Sequence, residues 1–229
     1  MSVPILGISS MATRQVLAEL VDAYQQYAGQ PVAIESVGGV DAAKRVAAGE
    51  AFDVVILASD ALDKLIAAGH VLAGSKVDLV HSGVAVAVRK GAPQPDISSE
   101  DAVRQAILAA RNISYSTGPS GVALAKLFER WGIAEQIKDR IVTPPPGIPV
   151  GSLVARGEVE LGFQQLSELI SLEGITVLGP LPPAIQITTT FSAGVCATSQ
   201  QAEAVRAMLA YMASPAAAEA KRRQGMDPA

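Results

Sequence analysis

A stretch of sequence near the start of the chain returns, in modified form, in its second half. Residues 17–20 read Leu-Ala-Glu-Leu and residues 124–127 read Leu-Ala-Lys-Leu, 107 positions apart. Residues 46–50 read Val-Ala-Ala-Gly-Glu and residues 154–158 read Val-Ala-Arg-Gly-Glu, 108 positions apart. Two matches at nearly one offset favour two similarly wound α/β lobes. The alternative is that Ala-rich helices ending in glycine resemble each other by chance.

Short apolar strands alternate with amphipathic helices in each of these halves. Residues 3–8 and 52–58 are apolar runs, and residues 12–27 carry apolar side chains at helical spacing. This alternation predicts a mostly parallel sheet flanked by helices in each lobe. A chain of 229 residues that is 49% hydrophobic can bury a substantial core, and at 4% aromatic residues that core is mainly aliphatic.

Two longer apolar runs predict where the chain passes from one lobe to the other. They cover residues 80–88 and 185–197. If both runs cross, residues 1–82 and 188–229 form the first lobe and residues 83–187 form the second. The ligand cleft is then expected between the two lobes.

The composition excludes several classes of function. A net charge of −4 and a pI near 5.2 argue against a nucleic-acid surface, so no nucleic-acid partner is predicted. His70 and His81 are the only histidines, and neither has a Cys or His at ligand spacing, so no metal is predicted. No cofactor is predicted either, because residues 116–121 lack the lysine of a P-loop and the spacing of a dinucleotide fingerprint. The single cysteine, Cys196, lies in an apolar run and is predicted to be buried.

The first six residues do not read as a signal peptide, because they have no basic region, apolar region or small-residue cleavage site. This pattern predicts a cytoplasmic protein as the chain stands, or a periplasmic one if a leader has been removed. No run approaches the length of apolar sequence that spans a membrane.

Loops rich in serine, glycine or proline stand before four predicted helix starts. They are residues 9–10, 38–39, 116–121 and 147–152, the last of which follows the prolines of residues 144–146. In open α/β sheets, ligands bind at the carboxyl ends of strands, where helix N-termini favour negative charge. Ordinary helix capping explains any single loop. Four of them in a duplicated layout predict a site for a small anion.

The sequence resembles the type 2 periplasmic binding proteins, and most closely the molybdate-binding proteins of ABC transporters. The resemblance covers nearly the whole chain. It rests on Ser-Ser-Met-Ala at residues 9–12, Ala-Gly-Glu-Ala-Phe-Asp-Val-Val-Ile at 48–56, Ala-Ser-Asp at 58–60, and the segment 157–162. It implies a two-lobed fold joined by two crossover strands, a monomer, and an ABC transporter permease as partner.

The resemblance also implies that hydroxyls and backbone N–H groups hold an oxyanion. Ser10 stands at the first-loop serine, and Ser120 and Val150 match positions that supply backbone donors. A second ligand serine is replaced near residues 38–39, and a tyrosine is replaced at Gln165. These changes, and the amides at residues 164–165, suit an organic acid better than a tetrahedral metal oxyanion. The predicted ligand-binding residues are Ser9, Ser10, Arg14, Gly38, Gly39, His81, Ser82, Ser116, Ser120, Gly121, Pro149, Val150, Gln164 and Gln165.

Two functions follow from this reasoning. The first is a solute-binding protein, without chemistry, that closes on a small oxyanion or organic carboxylate. The alternative is an isomerase of an unsaturated di- or tricarboxylic acid. Aconitate isomerase, an enzyme of that kind, looks like an offshoot of this fold. Moving a double bond needs a base that takes a proton next to a carboxylate and an acid that returns it. His81, Tyr115 and a serine are the candidate groups.

Overall fold

The computed structural model describes residues 3–145 and 147–229. Met1, Ser2 and Pro146 therefore lie outside the described residues. The predictions for the chain start and for the proline loop fall partly on these three residues. The described chain forms two compact units. Unit 1 contains the residues up to Ser82 and Thr190–Ala229, and unit 2 contains Gly83–Thr189.

Strands and helices alternate through most of the chain. The strands are β1 (Ile5–Ser10), β2 (Val32–Val37), β3 (Val54–Ala58), β4 (Val77–Arg89), β5 (Ile113–Tyr115), β6 (Leu161–Gln165), β7 (Ile175–Pro180), β8 (Thr188–Val195) and β9 (Asp227–Pro228). The helices are α1 (Arg14–Ala28), α2 (Gly39–Ala47), α3 (Ser59–Ala67), α4 (Glu100–Ala109), α5 (Pro119–Arg130), α6 (Ala134–Ile137), α7 (Val150–Ala155), α8 (Leu166–Leu169), α9 (Ala202–Ala213) and α10 (Ala218–Arg223).

Unit 1 is a mixed sheet in the order β2-β1-β3-β8-β4 with helices on both faces. β1 runs parallel to β2 and β3, whereas β3 and β8 are antiparallel. Successive residues of β3 point to opposite faces. Val54 and Ile56 pack in the cluster that contains α1 and α9 residues, and Val55 and Leu57 pack with α2 and α3 residues. This two-sided burial explains why every residue of β3 is apolar.

Unit 2 has the strand order β4-β6-β5, and β7 also pairs with β4. Among the named strands that the structure describes in this unit, β5 and β6 are the only parallel pair, while β4 is antiparallel to both β6 and β7. The sheet is therefore mixed rather than mostly parallel, because the long strand β4 takes a central place in it. Leu161 and Phe163 of β6 pack with α4 and α5 residues. Gly162 faces α7, where an added Cβ would lie 2.5 Å from the Val154 side chain.

Local sequence signals account for most of the helix ends. Gly49 follows Ala48, the C-cap of α2, and its φ of +80° is the left-handed conformation that glycine adopts most readily. α2 begins at Gly39, directly after its N-cap Gly38, and α5 begins at Pro119. Proline favours the first position of a helix because its fixed φ suits that turn and its missing N–H is not needed there.

Among residues 3–145 and 147–229, no helix combines the length and apolar character that crossing a membrane requires.

Candidate ligand-binding site

In unit 1, Ser10 and Gly39 meet at the carboxyl end of the parallel strands. Ser10 is the last residue of β1, and Gly39 is the first residue of α2. A Cβ placed on Gly39 would lie 3.8 Å from the Ser10 Oγ. The N-cap of α2 is Gly38, and no side-chain cap is formed at this helix start among the described residues. A hydroxyl and uncapped backbone N–H groups thus stand side by side, which suits a carboxylate oxygen.

The hydroxyls near the end of β1 differ in whether a described residue forms a hydrogen bond with them. The Ser9 side chain is buried and shares a 2.8 Å hydrogen bond with the Ser36 Oγ. Thr13 Oγ1 donates to the Ser10 carbonyl at 2.9 Å. The Ser10 Oγ is different, because no residue in the described ranges bonds it. The Ser9 hydroxyl is therefore engaged inside the unit, whereas the Ser10 hydroxyl has no partner among the described residues.

The β4 residues at the border of unit 1 place an imidazole and a hydroxyl on opposite faces of the strand. His81 Nδ1 lies 2.9 Å from the Thr190 Oγ1, which fixes the orientation of the ring. The Ser82 side chain is fully buried, and its Oγ has no partner among the described residues. A buried hydroxyl without a hydrogen bond is uncommon in folded proteins.

Arg14 lies on the surface at the first position of α1. It lines a groove of about 440 Å³ together with Leu17, Val21, Ile34 and Ser36. Within the described ranges it forms no ion pair with a carboxylate. Its guanidinium is accordingly free to meet an anion at this groove, on the side of α1 that faces β2.

In unit 2, Ser116 and Ser120 come together where β5 leads into α5. Their hydroxyl oxygens are 3.0 Å apart, and α5 has no side-chain cap. Gly121 is required at this turn, because a Cβ there would lie 1.6 Å from the Ser116 carbonyl oxygen. Ser99 shows the contrast, since its Oγ accepts from the Ala102 N–H at 3.1 Å as an ordinary N-cap of α4.

Gln164 has both ends of its amide engaged. Its Oε1 accepts from the Gly151 N–H at 3.1 Å, and its Nε2 donates to Glu168 Oε1 at 3.0 Å. Pro149 is the N-cap of α7, and Val150, the first residue of that helix, is buried. Gln164 therefore fixes the start of α7 and the position of Glu168, rather than presenting a free amide.

Gln165 presents the free amide instead. Its Nε2 donates to the Thr189 Oγ1 at 3.1 Å, and its Oε1 is buried without a partner in the described chain. Because the threonine hydroxyl can donate or accept, either the oxygen or the nitrogen of this buried amide can point away from Thr189. That end can accept from a protonated carboxyl group or donate to a carboxylate.

The two groups named as candidates for proton transfer belong to different units, His81 to unit 1 and Tyr115 to unit 2. The Tyr115 ring packs edge-on against Phe128 at 5.7 Å between centroids. Burial raises the pKa of the Tyr115 hydroxyl, so it is less readily ionised than an exposed tyrosine.

Sequence reasoning did not single out Glu168. Burial raises the pKa of its carboxyl group to about 7, and the Gln164 hydrogen bond opposes part of that effect. A sequence pattern that points to Glu168 is hard to find, because the helix that carries it, α8, has only four residues and shows no periodicity. In the described part of the chain, no three His, Cys, Asp or Glu side chains are grouped as metal ligands.

Asp53, the aspartate of the Ala-Gly-x-x-x-Asp-Val motif, has a structural position. Its carboxylate accepts hydrogen bonds from the Leu6 N–H at 2.9 Å, the Ser199 Oγ at 2.7 Å and the Gln201 Nε2 at 3.2 Å. These donors come from β1 and from the segment between β8 and α9. The motif thus marks how the two ends of the chain are joined in unit 1.

Comparison with known proteins agrees with this architecture. An Azotobacter vinelandii periplasmic molybdate-binding protein matches with a TM-score of 0.80 at 20% identity, covering 97% of this chain and 98% of that one. The sulfate-binding protein SubI from Mycobacterium tuberculosis H37Rv matches with a TM-score of 0.79 at 18% identity, covering 98% of this chain and 86% of that one. The predicted type 2 periplasmic-binding-protein fold is confirmed.

A closer relationship appears in sequence. An aconitate isomerase from Pseudomonas sp. is 41% identical over 244 aligned positions, which cover 99% of this chain and 92% of that protein. A model of the family described as bacterial extracellular solute-binding proteins matches residues 5–227. The chain therefore belongs to the bacterial extracellular solute-binding protein family.

Proposed function

We propose that the chain is an isomerase that moves the double bond of an unsaturated tricarboxylic acid, with aconitate as the first substrate to test. The observation that carries this proposal is the 41% identity with an aconitate isomerase across 99% of the chain. Relatives that match only in fold, at 20% identity or below, support the architecture but not a substrate.

Polar groups at the strand ends support a carboxylic acid as ligand. In unit 1, the Ser10 hydroxyl, which no described residue bonds, adjoins the start of α2 at Gly39, where no described side chain forms a cap. In unit 2, Gln165 has one free amide end, which can pair with either form of a carboxyl group. A tetrahedral oxyanion has few or no protons to donate to an amide oxygen, whereas a protonated acid or a hydroxyl donates a hydrogen bond to such an acceptor.

Incubation with pure cis-aconitate and, separately, pure trans-aconitate tests the proposal. We expect proton NMR to show each isomer converting towards the same equilibrium mixture at a rate proportional to protein concentration. A heat-denatured sample provides the control. Conversion no faster than in that control would remove aconitate as a substrate.

A second candidate function is solute binding without chemistry, for a small oxyanion or carboxylate delivered to an ABC transporter permease. The family description and the fold shared with molybdate- and sulfate-binding proteins favour it. Calorimetry with molybdate, tungstate, sulfate and a panel of di- and tricarboxylates separates the two functions. Tight binding of an inorganic oxyanion, with no aconitate turnover, would favour the second; no binding across the panel would refute it.

A further inference from the structure

Glu168 lies near the carboxyl end of β6, at the edge of the unit 2 sheet where the loops after β5 and β6 begin. It follows β6 by three residues, in the short helix α8. β6 is parallel to β5, with Tyr115 paired to Phe163, so both strands end at the same edge. The Ser116–Ser120 hydroxyl pair follows β5 at that edge. This edge is where α/β sheets bind ligands.

The Glu168 carboxyl group is held on one side and open on the other. Oε1 accepts from the Gln164 Nε2 at 3.0 Å, and Gln164 is itself fixed by the Gly151 N–H. No residue in the described ranges bonds Oε2, and no lysine, arginine or histidine nitrogen there lies within 4.0 Å of the carboxyl group. The half-buried side chain thus keeps one oxygen available at a defined place.

Charged residues on the neighbouring elements have other partners or lie elsewhere. On α7 and the turn after it, Arg156 is paired with Glu158. On β4, Arg89 lies against Gly157, where an added Cβ would be 3.3 Å from its guanidinium. Glu173, beyond α8, is exposed. Burial raises the pKa of the Glu168 carboxyl group to about 7, and no cation among the described residues lies within 4.0 Å to offset that effect.

We propose that Glu168 is the group that carries the proton during the double-bond shift. In this step the C–H bond of the methylene carbon breaks, and its electron pair becomes the new double bond to the central carbon. The electron pair of the old double bond forms a C–H bond at the other end of the three-carbon unit. The carboxylate takes the first proton and returns it there, so no oxidant, reductant or co-reactant is needed. This inference rests on the proposed function.

The test compares Glu168→Gln with Glu173→Gln, which removes an exposed carboxylate from the same segment. Glutamine at 168 keeps an oxygen for the Gln164 hydrogen bond but cannot take a proton. We expect E168Q to lower kcat for aconitate isomerisation by at least ~100-fold, the lower end of general acid–base contributions. E173Q should stay within about twofold of the unmodified protein.

Binding of propane-1,2,3-tricarboxylate, the saturated analogue, separates chemistry from structure. Calorimetry should give E168Q a Kd within about threefold of the unmodified protein, because binding involves no proton transfer. Formate should partly restore turnover to Glu168→Ala, which a purely structural role would not allow. E168D should retain part of kcat, since it keeps a carboxylate at a shorter reach.

Each outcome is informative. If the unmodified protein isomerises aconitate and E168Q keeps kcat within about threefold, the inference is wrong and the proposed function stands. A parallel loss of kcat and analogue binding in E168Q, with no rescue of E168A by formate, also overturns it. If the unmodified protein gives no turnover, the proposed function fails first and the role of Glu168 fails with it.

Discussion

Asp53→Ala is expected to weaken unit 1 far more than the loss of an ordinary carboxylate would. Asp53 is 8% exposed, and three donors converge on it from both ends of the chain. Alanine leaves the Leu6 N–H and the Ser199 hydroxyl without this acceptor, while the Gln201 Nε2 keeps only its hydrogen bond to the Pro4 carbonyl. Since β1 lies between β2 and β3, its first residues lose a contact that fixes their register in the sheet.

The magnitude follows from how exposed each donor is. A buried donor that loses a charged acceptor costs ~1.5–3 kcal/mol, and a partly exposed donor costs less because water replaces the acceptor. Ser199 and Gln201 are partly exposed. We expect D53A to lower the free energy of unfolding by about 3 kcal/mol. D53N retains one acceptor oxygen, so about 1 kcal/mol is expected for it.

Urea unfolding measures this effect, with far-UV circular dichroism as the probe. The single tryptophan, Trp131, lies in unit 2, so its fluorescence reports separately on that unit. Asp22→Ala serves as the control, because Asp22 is exposed on α1 and should change stability by less than about 0.5 kcal/mol. Equal unfolding midpoints for D53A and D22A would refute the reasoning.

Four further predictions concern the site and its surroundings. Ser10→Ala should weaken tricarboxylate binding about tenfold in calorimetry, because a hydroxyl bond to a charged ligand is lost, while the unfolding midpoint stays unchanged; unaltered affinity would exclude Ser10 from the site. Gly121→Ala should lower the melting temperature well below that of Gly118→Ala, because the added Cβ lies 1.6 Å from the Ser116 oxygen in one case and 3.9 Å from the Ser116 Oγ in the other; equal melting temperatures would contradict this. Cys196 should react with Ellman's reagent only on unfolding, because burial, and to a lesser degree the Asp53 charge, raise the pKa of its thiol to about 12; rapid reaction of the native protein would be inconsistent with that. Glu168 has a folded-state pKa of about 7 against an ordinary value of 4.5, so the native state holds the extra proton and stability falls as pH rises between these values, by at most about 3 kcal/mol; denaturation from pH 4.5 to 7.5 should show a shallower fall in E168Q, and identical slopes would refute the assignment.

The fold could be predicted from the sequence, because the patterns that indicate it lie within short segments of the chain. Alternating apolar strands and helices predict an α/β arrangement, and glycine at 49 marks a helix end through its positive φ. The mixed character of the unit 2 sheet was not accessible. Antiparallel pairing of β4 with β6 and β7 joins segments that are far apart in the chain, and no local pattern reports it.

The site was accessible only in part. Loop position and residue type single out Ser10 and Gln165, each of which has a side-chain polar atom that no described residue bonds. Which of two adjacent glutamines is engaged depends on the face of β6 that meets α7, and this requires the tertiary structure. Glu168 depends on the same contact, since Gln164 positions it. The role of Asp53 likewise needs donors that lie 146 residues away in the chain.

The division of the chain has a consequence for biosynthesis. Unit 2 is one continuous stretch, Gly83–Thr189, whereas unit 1 needs Thr190–Ala229 to supply most of β8 and the helices α9 and α10. A ribosome therefore releases every residue of unit 2 while unit 1 still lacks the strand that pairs with β3. We expect stalled nascent chains ending near residue 225 to show a protease-resistant fragment from unit 2 before any from unit 1. A premature stop codon after residue 189 should accordingly give a chain in which unit 2 is folded and unit 1 is incomplete. We expect quality-control proteases to degrade such a chain.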